Sequence, residues 1–208
     1  MSLTRPPEIM HSAAVAHLLQ EVRAAHRDNP STRGFCDFPT DLVPQALAPC
    51  HRPCADYMAA EGVMEAESYA PLRDAMLGAS GEALWRETYA HTDIGQHFMD
   101  RFGCYCIIGK GGWWSSETMS AYIVYMPPGF WYTWHHHPAE EMYLVVAGEA
   151  EFLRNGAPTE TLTPGGASFH ASNQPHAMQT HGKPVLAYVI WRNNLGIPPV
   201  LTPPEMLE

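Results

Sequence analysis

The run from Pro128 to Gly148, PGFWYTWHHHPAEEMYLVVAG, constrains this chain more than any other feature. Successive side chains of an extended strand alternate between its two faces, so His135, His137, Glu141 and Tyr143, all odd-numbered, can share one interior, whereas His136 points the other way. Pro138 places a bend inside that register. Histidine is a borderline ligand and glutamate a hard one. Two histidines and a carboxylate on one inward face therefore form a mixed nitrogen and oxygen site suited to Zn, Fe, Mn, Co or Ni. Three consecutive histidines taken alone also describe an exposed polar loop, so the reading depends on the surrounding spacing.

The chain changes period near residue 90. Val15, Leu18, Leu19 and Val22 recur at helical spacing between Glu8 and Arg27, and Asn29-Pro30 ends the run. A loop containing proline and cysteine follows. Residues 55–79 and 81–89 again read as helix, with Met58, Val63, Met64, Leu72, Met76 and Leu77 as expected core. After Ile94 short β-rich runs take over: 104–108, 120–125, 141–146, 150–154, 176–180 and 185–192. Asn155-Gly156 signals a hairpin with the positive φ of a type I′ turn. The expected architecture is mainly β, an antiparallel jelly-roll barrel over residues 91–206, with an N-terminal helical segment, 1–90, packed on it.

Composition narrows the partners. The net charge is −10 with 12 Lys+Arg, and no basic stripe is visible, which argues against nucleic acid or an anionic membrane. No apolar stretch approaches the length of a membrane span, and the N-terminal run lacks an apolar leader, so a cytoplasmic protein is expected. Five cysteines, Cys36, Cys50, Cys54, Cys104 and Cys106, read as reduced thiols, and Cys50-His51-Arg52-Pro53-Cys54 lacks a second ligand pair for a zinc finger. Leu207-Glu208 resembles a vector scar with no expected part in the fold.

Gly129, His135, His137, Glu141 and Gly148 occupy every fixed position of the first cupin motif, so this segment resembles a cupin. The second motif, aligned on His176, falls on Gly165, Ala171, Asn173, His176 and Thr180. Ala171 replaces its proline, Asn173 its second glycine and Thr180 its asparagine. Asparagine tolerates a left-handed turn, so Asn173-Gln174-Pro175 can still deliver His176. His170 is the rival fourth ligand, otherwise read as a strand residue outside the pocket.

The helical N-terminal segment, the His-His-His-Pro-Ala-Glu-Glu-Met-Tyr stretch, the Asn-Gln-Pro-His turn and the late Trp191 together resemble the cupin-type dimethylsulfoniopropionate lyases of marine bacteria. The resemblance implies one divalent or trivalent transition metal per chain (Zn, Fe, Mn or Co) held by His135, His137, Glu141 and His176. It implies Tyr143 as the base that removes the proton beside the substrate carboxylate, with Tyr132 and Trp191 lining the substrate pocket. Dimethyl sulfide would leave, giving acrylate. The physics is coherent, because a cation nearby strengthens a phenol as a base, and a sulfonium on an aromatic face gains roughly 0.5 to 2 kcal/mol. Trp131, Tyr132, Trp134, Tyr188 and Trp191 crowd these strands. No basic residue is required at the sulfonium end, and the motif region is poor in them.

The implied partner is a small sulfonium carboxylate; oligomerisation is left open. Two other classes stay open as well: an iron-dependent cupin dioxygenase using the same ligands, and a non-enzymatic cupin binding a small acid or sugar.

Overall fold

The computed structural model describes residues 9–62 and 64–207. Val63, the N-terminal run read for a leader, and Glu208 lie outside the described residues. The helices are α1 (Ala13–Asp28), α2 (Pro30–Phe35), α3 (Pro53–Ala60), α4 (Ala70–Ala79) and α5 (Gln96–Arg101). The strands are β1 (Val43–Pro44), β2 (Gly103–Ile108), β3 (Trp114–Ser115), β4 (Ser120–Met126), β5 (Trp131–His136) and β6 (Glu140–Gly148). They continue with β7 (Ala150–Arg154), β8 (Glu160–Leu162), β9 (Ala167–His170), β10 (His176–Gln179), β11 (Val185–Arg192) and β12 (Val200–Leu201).

The strands form the expected jelly-roll arrangement as a two-layer, mostly antiparallel sandwich whose sheets are not closed into a barrel. Seven order as β1-β3-β2-β4-β11-β6-β9 and five as β12-β5-β10-β7-β8. Among the described residues no ladder joins the two sheets, because the chain turns sharply where it passes between them. Gly148 makes one such corner between β6 and β7. It adopts φ +74°, and a Cβ there would lie 1.8 Å from the Pro184 carbonyl oxygen, so only glycine fits.

Strand alternation divides the core in two. Leu144, Val146, Leu186, Tyr188 and Ile190 face outward from the large sheet and join Val15, Leu18, Val22, Leu72 and Met76 in one apolar cluster. Tyr143, Val145, Ala187, Val189 and Trp191 face the small sheet and meet Tyr132, Phe152 and Met178. No face of β6 or β11 is left to water, which is why both strands read as nearly continuous apolar runs.

The N-terminal half departs from expectation in three places. Asn29 ends α1 as expected, yet its side chain also accepts from the Ser31 and Thr32 amides and caps α2, with Pro30 in that helix's first turn. The helix expected over 55–79 breaks between Ala60 and Ala70. There the chain docks on the strand ends: Tyr125 donates its hydroxyl proton to Glu61, and the Gly148 amide to the Glu65 carbonyl. The helix expected over 81–89 is a single 3-10 turn, Ser80–Glu82, followed by extended chain. The Trp85 amide donates to Cys50 O and the Arg86 amide to Cys104 O, so pairing with β2 overrides local helical preference. The Asn155-Gly156 turn is longer than type I′, since Gly156 takes positive φ and the next strand starts at Glu160. All five cysteines are free thiols, and no helix among the described residues is long and apolar enough to cross a membrane.

Candidate active site

The site forms where the two sheets face each other. β5 and β10 of the small sheet bring His135 opposite His176. In the large sheet, Glu141 lies between Trp191 on β11 and His170 on β9. Asn173 takes φ +58°, the left-handed turn expected of it, and its amide donates to the His137 carbonyl, tying the turn before His176 to the β5–β6 link.

Three rings are set the same way. The Nδ1–H of His135 donates to Thr133 O at 2.8 Å, that of His137 to Ala139 O at 2.9 Å and that of His176 to Gln174 O at 2.8 Å. Each bond fixes the tautomer and leaves Nε2 as a lone pair, the arrangement metal-binding histidines use. Nε2 of His137 and of His176 lie 3.4 and 3.2 Å from Glu141 Oε2, and both nitrogens are buried without a hydrogen bond. His137, Glu141 and His176 bring their ligand atoms within 4.8 Å of one another. Electron-rich atoms packed this closely away from water suit a cation between them, so the donor set fits a metal. His135 stands beside this cluster, its ring centroid 4.1 Å from that of His176 and 6.5 Å from that of His137. His136 points out of the site, as its parity requires, and bonds Thr202.

The Glu141 carboxylate is held by more than the sequence suggested. Trp191 Nε1–H donates to Oε1 at 2.7 Å, and His170 Nδ1–H donates to Oε2 at 2.8 Å, while Ser168 Oγ–H donates to His170 Nε2 at 3.2 Å. His170 is therefore inside the pocket and orients the carboxylate from behind. Burial pushes its pKa down to about 3, which keeps it neutral. Burial opposes charge on Glu141 too, but His137, His170 and His176 hold the carboxyl well below the usual range.

Tyr143 is buried two residues beyond Glu141, and its hydroxyl makes no hydrogen bond to a described residue. Burial, and then the Glu141 charge, push the phenol well above its ordinary pKa. Tyr132 stacks on His135 with ring centroids 3.9 Å apart and shares a 2.7 Å hydrogen bond with Tyr89. A register shift between β5 and β10 allows even-numbered Tyr132 and odd-numbered His135 to be buried together. Tyr132, Glu141, Tyr143 and Trp191 line an inner cavity of about 40 Å³. Of the other aromatics expected near the site, Tyr188 lies on the opposite face of β11 against His26, and Trp131 is exposed. Sequence reasoning missed Tyr89, read as the end of a helix but found in a turn that follows an extended run, and the inward placement of His170, which becomes visible only through its pairing opposite Glu141.

Comparison with known proteins identifies relatives over nearly the whole chain. The dimethylsulfoniopropionate lyase family profile matches residues 36–187. Dimethylsulfoniopropionate lyase DddQ of Ruegeria pomeroyi is 46% identical over 192 residues, covering 92% of this chain and 96% of the relative. The crystal structure of DMSP lyase DddQ from Ruegeria pomeroyi superposes with a TM-score of 0.91 at 45% identity, covering 94% of this chain and 99% of that one. A structure from a study of the DMSP lyases RdDddP and RnDddQII gives a TM-score of 0.88 at 35% identity over 92% of this chain and 98% of that one.

Proposed function

Because this chain belongs to the dimethylsulfoniopropionate lyase family, we propose that it cleaves that substrate, a small zwitterion, to dimethyl sulfide and acrylate by β-elimination. The observation that carries the reading is the pair of buried, unpartnered Nε2 atoms of His137 and His176 converging on Glu141, with the Tyr143 phenol in the same interior. We assign His135, His137, Glu141 and His176 as ligands of one transition metal per chain, from the group Zn, Fe, Mn and Co. Bound there, such a cation would supply positive charge to polarise a substrate carboxylate and to draw the Tyr143 pKa down from its buried value.

The remaining work falls to the chain. Tyr143, ionised to its phenolate, accepts the proton from the carbon beside the carboxylate, the electron pair moves into the new double bond, and the carbon–sulfur bond breaks to release dimethyl sulfide. Trp191 and His170 keep the Glu141 carboxylate in place while this happens. Tyr132, anchored by Tyr89, and the indole of Trp191 wall the substrate in and exclude water. Five free thiols and no disulfide support a reducing, cytoplasmic setting.

Protein as purified with its metal, incubated with dimethylsulfoniopropionate under strictly anaerobic conditions, is expected to release acrylate and dimethyl sulfide in equal amounts. Turnover only in the presence of oxygen would replace the lyase with a dioxygenase. No turnover in either atmosphere would leave a binding protein.

We propose further that residues 1–90 and 91–206 form one folding unit, because α1 and α4 cover outward residues of β6 and β11 that would otherwise face water. A fragment spanning 91–206 is expected to aggregate or melt without cooperativity. A soluble fragment with full activity would separate the two parts.

A further inference from the structure

Arg86 has no part in the assignments above. It sits on the extended run that replaced an expected helix, where the preceding Trp85 turns into the helix-side core, its ring centroid 5.0 Å from that of Tyr105. Alternation sends Arg86 the other way, into the inner cavity that Glu141 and Tyr143 also line. Its guanidinium carbon lies 5.0 Å from the centroid of the Tyr122 ring. Among the described residues no carboxylate reaches ion-pair distance of it, and Glu87, the acid next in sequence, is held by Arg52 at 2.7 Å. A guanidinium keeps its charge at any ordinary pH, and a partly buried one without a counter-ion is an anion site in waiting.

Position gives that site a purpose. The inner cavity, about 40 Å³, is the smaller of two that meet here. Beside it lies a second cavity of about 450 Å³, and Arg86, Thr88, Tyr122 and Trp191 line both. These four residues form a throat between the outer cavity and the His/Glu cluster. Lys110 adds a second cation to the outer cavity, and Glu87 there is already neutralised by Arg52. On a chain whose net charge is −10, this is a local reversal of sign directly on the route inward.

We propose that Arg86 receives the carboxylate of the substrate, and afterwards that of acrylate, at this throat, so that the zwitterion enters carboxylate first. The inference rests on the lyase reading above. The planar fork of arginine matches a carboxylate with two parallel hydrogen bonds. The same charge repels a sulfonium, and the guanidinium already covers one face of Tyr122, so the sulfonium trails and meets the aromatic wall of Phe102, Tyr132 and Trp191 only after the carboxylate has moved inward. Polarity of entry is thereby set before the substrate meets the metal ligands.

The test is binding of two probes, acrylate and trimethylsulfonium, to the metal-loaded full chain and to its Arg86→Gln and Arg86→Lys variants. Arg86→Gln should weaken acrylate by roughly tenfold to a hundredfold, the usual loss of a charged hydrogen-bonding partner, and leave trimethylsulfonium unchanged or tighter. Arg86→Lys should recover part of the acrylate affinity, and KM for the full substrate should rise more than kcat falls. Unchanged acrylate binding in Arg86→Gln overturns the proposal. Equal weakening of both probes in both variants overturns it too, since that pattern reports a damaged cavity without preference for an anion. Wild-type protein that releases no acrylate from dimethylsulfoniopropionate would instead remove the lyase reading, whatever Arg86 binds.

Discussion

Tyr143→Phe is expected to slow release of acrylate and dimethyl sulfide by roughly 10² to 10⁴, the range a positioned acid or base contributes, while metal content stays at the wild-type level. The substitution keeps the ring, its packing 5.5 Å from Phe152 and 5.4 Å from His170, and nearly all of its volume. It removes one hydroxyl, and that hydroxyl supports no other described residue, so little stability should be lost. Tyr132→Phe should do less to the rate, because its hydroxyl is already engaged with Tyr89 and its ring stacks on His135. Both enzymes are to be assayed for acrylate at saturating substrate. A nearly normal Tyr143→Phe beside an inactive Tyr132→Phe would move the base to Tyr132, and two nearly normal enzymes would point to Glu141 or a metal-bound hydroxide.

His137→Ala and His176→Ala are expected to lower bound metal from about one per chain to near zero, and activity with it. Each removes a buried Nε2 that has no other partner and faces the Glu141 carboxylate. Metal that binds the folded chain at a hundred times its Kd stabilises it by about 2.7 kcal/mol, which for a protein of this size is roughly 5 to 10 °C in Tm. Chelation should therefore lower the wild-type Tm by that much and leave both variants unmoved. Elemental analysis and a melting curve with and without chelator decide the matter, and stoichiometric metal in both variants would dissolve the assigned ligand set.

The convergence of His137, Glu141 and His176 was legible because its information is local: His137 and Glu141 stand four residues apart, and Asn173 signals the turn that presents His176. What escaped depends on pairing between distant strands. His170 becomes the support of Glu141 only because β9 lies against β6 in the register Glu141 to His170. Tyr188 and Trp191 share β11, yet one bonds His26 on the helical side and the other bonds Glu141, a difference that parity alone predicts once the strand's facing is known. Residues 83–86 have ordinary helical character, but the backbone of Cys50 and of Cys104 captures them as extended chain. The helix expected to run through Gly62 gives way because Glu61 and Glu65 are held by Tyr125 and Gly148. In each case a tertiary hydrogen bond outweighs a local preference worth only a fraction of a kcal/mol per residue.

Strand β6 acts as a party wall. Glu141 and Tyr143 look into the inner cavity, while Leu144 and Val146 are the floor on which the helices rest beside Leu18 and Met76. An added or deleted methylene in that helical floor displaces the strand by fractions of an ångström, and a misplacement of about 1 Å at a reacting group can lower a rate a hundredfold. Helix residues that never meet substrate thus hold a lever on the chemistry. Directed evolution for a new working temperature has its adjustment screws in α1 and α4, with every ligand left in place.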